Sequence, residues 1–154
     1  MKKLSLLFFI IVFVNSLTAQ QMTRVDAHNL TWNLNYTTAK ELSKQQGKPI
    51  LIYFTGSDWC SACKYVEQDF YAKTKYKALL DHYILYEADF PKKKENQHPI
   101  LLAFNQTLKE KFKITGFPTT LIIDANETDL GRIIGFRGNT TEKEYAEFLT
   151  RLAN

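Results

Sequence analysis

Cys60 and Cys63 are the only two cysteines in 154 residues. They stand two residues apart in Trp59-Cys60-Ser61-Ala62-Cys63-Lys64. Such a pair can do three things. It can form a structural bridge, supply half of a tetrahedral metal site, or cycle between dithiol and disulfide. A bridge is a weak use, because disulfides stabilise mainly by closing long loops in the unfolded chain. A metal site needs further ligands, and none of His28, His82 or His98 lies at ligand spacing from the pair. A redox dithiol needs a reactive first thiol and a second thiol within reach. The spacing supplies the second thiol. The first is activated if Cys60 opens a helix, where free N–H groups and the helix dipole favour the thiolate. Lys64 adds a positive charge one residue beyond the pair.

The flanking pattern predicts that placement. Ile50-Leu51-Ile52-Tyr53-Phe54 is a continuous apolar run after Pro49 and reads as a buried strand. Gly56-Ser57-Asp58 is a turn, and a helix follows from Cys60 towards Tyr71. Upstream, Leu30, Trp32 and Leu34 alternate with polar residues as a short strand, and Thr37 or Thr38 can cap a helix ending at Gly47. Downstream come a helical segment at 75–81, a strand at 83–86, a polar loop at 90–98 and a helix opened by Pro99. A hairpin of strands 119–124 and 131–136 precedes a last helix with apolar face Tyr145, Phe148, Leu149 and Leu152. The early alternation predicts right-handed crossovers and parallel strands, and the hairpin adds antiparallel ones. The expected fold is α/β, a mixed central sheet with helices on both faces.

Residues 1–19 have the layout of a signal peptide: Lys2 and Lys3, an apolar run of 11 residues from Leu4 to Val14 broken by Ser5, then a short polar stretch to Ala19. The run is short for a spanning helix, which needs about 20 apolar residues. Cleavage after Ala19 would leave 135 residues and lower the formal charge from +4 to +2. Residues 20–28 read as an N-terminal extension and 29–154 as one domain. Export to the periplasm or the exterior allows disulfides to persist. Lys92-Lys93-Lys94 lacks interleaved aromatics and reads as a solvated loop, not a nucleic-acid patch.

Phe54-Thr55-Gly56-Ser57-Asp58-Trp59-Cys60-Ser61-Ala62-Cys63-Lys64 resembles the active-site segment of thioredoxin-fold proteins. Gly116-Phe117-Pro118-Thr119-Thr120 resembles their cis-proline loop, in the right order and at the right distance along the chain. The resemblance covers about residues 29–153. It is greatest to exported thioredoxin-like proteins such as the soluble redox domain of DsbD-type reductants. It implies a thioredoxin-like three-layer sandwich and an exported thiol–disulfide oxidoreductase, used as a reductant. An oxidase or isomerase of the same fold, or a module holding a soft metal on the two cysteines, is the alternative.

The resemblance also implies roles. Cys60 would be the nucleophile and Cys63 the resolving thiol. Pro118 would be cis beside the pair, and Trp59 and Phe117 would shape the docking surface. No cofactor is expected beyond the Cys60–Cys63 pair, and no metal. The partners would be protein thiols and disulfides, together with a membrane or soluble electron donor. The protein would be a monomer. One departure stands out. Thioredoxins carry a buried acid in the strand before the motif, whereas here Tyr53 or Phe54 occupies that place. Water, Asp58 or Glu87 would then handle the Cys63 proton, and Lys64 is an accessory residue whose charge lies beside the pair. Ala62 before Cys63 resembles the reductants, since strong oxidants of the fold carry His there.

Overall fold

The computed structural model describes residues 22–96 and 98–153. The signal-peptide expectation therefore falls on residues outside the described ones. Among the described residues no helix is long and apolar enough to cross a membrane.

Among the described residues six strands form one sheet: β1 (Thr23–Val25), β2 (Thr31–Asn33), β3 (Ile50–Thr55), β4 (Ile84–Asp89), β5 (Thr119–Ile123) and β6 (Asp129–Ile134). Their spatial order is β1-β2-β4-β3-β5-β6. β2, β4 and β3 run parallel, while β5 pairs antiparallel with β3 and β6 antiparallel with β5. The helices are α1 (Tyr36–Gln46), α2 (Ser61–Val66), α3 (Lys77–Leu80), α4 (Pro99–Lys111) and α5 (Thr141–Leu152). The fold is a thioredoxin fold, a mixed sheet between two helical layers.

β3 is central, and all six of its residues are buried. Successive side chains of a strand point to opposite faces, and two cores follow. Leu51 and Tyr53 pack with Cys60, Cys63, Val66 and Phe70 on one face. Ile50, Ile52 and Phe54 pack with Tyr36, Leu108 and Phe112 on the other.

Three boundaries differ from the sequence expectation. Within the stretch 20–28, read as an extension before the domain, Thr23–Val25 forms β1, which pairs with β2 through Thr23↔Asn33 and Val25↔Thr31. Helix α1 is capped by Asn35, whose Oδ1 accepts from Thr38 N at 3.2 Å, and not by a threonine. The helix after Cys63 is α-helical only to Val66 and continues as a π-helical turn over Glu67–Tyr71. π-turns of this kind occur frequently at functional sites.

Candidate active site

Strand β3 ends at Thr55, and the chain turns through Gly56 to place Trp59 and Cys60 at the start of α2. Glycine at 56 is a steric requirement, because a Cβ there would fall on the Trp59 indole. Cys60 is the N-cap of α2, and its Sγ accepts from Cys63 N at 3.2 Å. Lys64 N donates to Cys60 O at 3.2 Å, which closes the first turn. A sulfur in this position gains an N–H donor and the positive end of the helix dipole, both of which favour the thiolate. The two cysteines are joined as a disulfide. Cys63 is completely buried and Cys60 keeps 6% of its surface. Of the two, only Cys60 retains any exposed surface.

The Phe117–Pro118 peptide is cis. Phe117 belongs to the rim around the pair: its ring lies 5.8 Å from that of Trp59 and 5.1 Å from that of Phe90. Trp59 is 37% exposed, and its Nε1 donates to Phe90 O at 2.7 Å. On the other side, exposed Tyr65 stacks on Phe136 at 5.1 Å.

The proton question turns on what lies beneath Cys63. Tyr53, not Phe54, faces the dithiol and so occupies the place of the acid. Its hydroxyl donates to Cys63 O at 2.9 Å. Burial pushes the phenol far above its usual range, so it remains a neutral donor. Glu87 lies directly across from Tyr53 on β4 and is buried. Its carboxylate pairs with Arg24 of β1. Burial raises the Glu87 pKa, and the Arg24 pair opposes that rise. Glu67 was not visible as a candidate in the sequence. Its N–H donates to Cys63 O, and its carboxyl is pushed up by burial first and by the charge of Glu87 second. Glu67, Arg24 and Tyr53 line one cavity of about 260 Å³. A stretch of sequence gives no sign of this grouping, because Arg24 and Glu67 meet only once β1 joins the sheet.

Asp58 is turned away from this grouping. Its carboxylate accepts from Lys92 N at 3.0 Å and Lys93 N at 2.8 Å, which holds its pKa below the usual carboxylate range. It anchors the loop after β4. Lys64 is exposed on α2 and pairs with no carboxylate among the described residues. No group of three or more His, Cys, Asp or Glu side chains among the described residues is arranged to hold a metal ion.

The Tyr53 contact predicts a measurable effect. Tyr53→Phe removes one buried hydrogen bond but leaves Cys63 O with its Glu67 N–H donor. The expected loss is about 1 kcal/mol in urea unfolding of the oxidised protein. An unchanged midpoint would show that the bond contributes nothing to stability.

The thioredoxin-like family model matches residues 31–125. The chain belongs to the thioredoxin-like family. Over 115 residues it is 39% identical to the disulfide bond reductase DsbH of Chlamydia pneumoniae, a match covering 74% of this chain and 68% of DsbH. It is 26% identical over 153 residues to the thioredoxin-related protein DsbJ of the same organism, covering 99% of this chain but 43% of DsbJ. The thiol:disulfide interchange protein DsbD of Yersinia pestis is 32% identical over 115 residues, covering 73% of this chain and 17% of DsbD. A solved structure of the DsbH oxidoreductase superposes with TM-score 0.69 at 34% identity, covering 87% of this chain and 93% of that one. The oxidised C-terminal domain of Neisseria meningitidis DsbD matches with TM-score 0.55 at 17% identity, covering 75% of this chain and 90% of that one, a likeness of fold alone. With its Cys60–Cys63 pair, this thioredoxin-like chain is a thiol–disulfide oxidoreductase.

Proposed function

We propose that the protein is an exported reductant of protein disulfides. One observation carries the reading: a disulfide whose outer sulfur caps a helix at an aromatic rim, with its inner sulfur buried one turn below. In the reduced protein the Cys60 thiolate attacks a substrate disulfide. The substrate S–S bond breaks, a Cys60–substrate disulfide forms, and the first substrate thiolate leaves and takes up a proton. Cys63 then loses its proton and attacks Cys60 Sγ. The mixed disulfide breaks, the Cys60–Cys63 bond forms, and the second substrate thiolate leaves and is protonated. Two electrons and two protons pass to the substrate. No cofactor is needed beyond the pair, and an electron-donor protein, in the membrane or soluble, restores the dithiol.

Direction is supported by the relative named as a disulfide bond reductase and by Ala62 before Cys63. Export is supported by Lys2, Lys3 and the Leu4–Val14 run. The deciding measurement is the reduction potential of Cys60–Cys63 against glutathione. Potentials in the fold span from about −270 mV for thioredoxin to about −120 mV for the strongest oxidant. The expected value lies below about −200 mV, and a value near −120 mV overturns the reductant reading.

A further inference from the structure

Lys92-Lys93-Lys94 reads in the sequence as a solvated loop, yet the fold carries it to the rim of the dithiol. Asp58, two residues before Cys60, holds the backbone N–H groups of Lys92 and Lys93. Trp59 Nε1 holds Phe90 O, at the start of the same loop. Lys92 Nζ stands 4.4 Å from the centre of the Trp59 ring. These contacts fasten the loop to the two residues that precede Cys60.

The charges on this rim are unequally engaged. Lys64, Lys92, Lys93 and Lys94 are exposed, and none pairs with a carboxylate among the described residues. The carboxylates close by are turned inward: Asp58 on the loop's own N–H groups, and Asp89 on the Ser57 N–H at 2.8 Å and hydroxyl at 2.7 Å. Glu95 is the one acid on the loop itself that stays exposed. An incoming chain therefore meets an apolar seat of Trp59, Phe117 and Phe90, with the Lys92 ammonium on the Trp59 ring and the exposed Lys93 and Lys94 following on the same loop.

We propose that the 92–94 loop is a docking rim for partner proteins whose target disulfide is flanked by Asp or Glu. This rests on the exchange reading above. Trp59 adjoins Cys60, so an extended segment bonded to Cys60 reaches the loop within about 10 Å, or about three residues. Exposed ion pairs add little static affinity. The contribution is to encounter rate, and it falls as salt shortens the screening length.

The test uses two disulfide-linked peptides that differ only in Glu or Lys at the flanking positions. Each rate of reduction by the full protein is divided by its rate with neutral bis(2-hydroxyethyl) disulfide. At about 20 mM ionic strength the Glu peptide should react about tenfold faster than the Lys peptide, and the ratio should fall to within about twofold at 0.5 M salt. The pair Lys93→Glu with Lys94→Glu should abolish or invert the preference, and Lys93→Arg with Lys94→Arg should keep it. Equal rates for the two peptides at low salt overturn the proposal. So does sedimentation of the protein with phosphatidylglycerol vesicles without any peptide preference, which assigns the lysines to a membrane surface. Failure of the wild type to reduce the neutral disulfide overturns the exchange reading itself, and the docking rim with it.

Discussion

Cys63→Ala will accumulate as covalent adducts with its substrates. In the proposed cycle Cys63 attacks Cys60 Sγ, and its backbone N lies 3.2 Å from that sulfur. Without its thiol the Cys60–substrate disulfide has no internal route to resolution, so it persists until an outside thiol arrives. Cys60→Ser removes the one cysteine of the pair that retains exposed surface. Its rate of disulfide reduction should fall by more than about 10³-fold, to the level of the buffer. Non-reducing gels of the reduced variants mixed with exported proteins would display the contrast. Cys63→Ala should give adduct bands that dithiothreitol releases, and Cys60→Ser should give none. Adducts that formed equally well on Cys63 alone would reverse the assignment of roles. The identities of the trapped proteins would define the substrates.

The pattern of what the sequence revealed has physical causes. β3 was legible because a strand buried on both faces needs an unbroken apolar run, and Ile50 to Phe54 supplies one. The dithiol was legible because both of its sulfurs lie in one short segment at a strand-to-helix junction. β1 was not, because Thr23-Arg24-Val25 is exposed along its length and carries no alternation to read. Its place depends on pairing with β2, and on Arg24 reaching Glu87, 63 residues away in sequence. Choosing between Tyr53 and Phe54 required the strand's facing, which motif alignment alone did not fix. Asp58 looked available for proton transfer because its partners, Lys92 and Lys93, lie more than 30 residues downstream. Glu67 was hidden for a related reason. Its spacing of four from Cys63 is ordinary on a helix, and only Glu87 and Arg24 around it make its position unusual.

Arg24→Met should cost about 2 kcal/mol at pH 7, with most of that loss recovered in acid. Two carboxyls depend on this guanidinium. Glu87 is buried and paired with it, and Glu67 is also drawn down by its charge. Both carboxyls already lie above their ordinary value of 4.5 in the folded protein, through burial first. A carboxyl whose folded pKa exceeds its unfolded value binds its proton more tightly when folded. It therefore lowers stability as pH rises through and above the unfolded value, and it costs nothing well below that value. Methionine keeps the apolar stem over the cavity but deletes the charge. Both folded pKa values then climb further, and the penalty at neutral pH deepens. Breaking a fully buried pair costs about 3–5 kcal/mol. The Arg24 side chain is 44% exposed, so water screens part of the loss and the smaller figure is the appropriate one. Urea unfolding of wild type and variant from pH 4 to pH 8 would show the difference widening as pH rises above about 4.5. Arg24→Lys should restore part of the loss at pH 7. A difference that did not vary with pH would mean that Arg24 acts through packing of β1 and not through the charge it holds beside Glu87 and Glu67. The N-terminal strand would then be a structural edge of the sheet, without influence on the ionisable groups near Cys63.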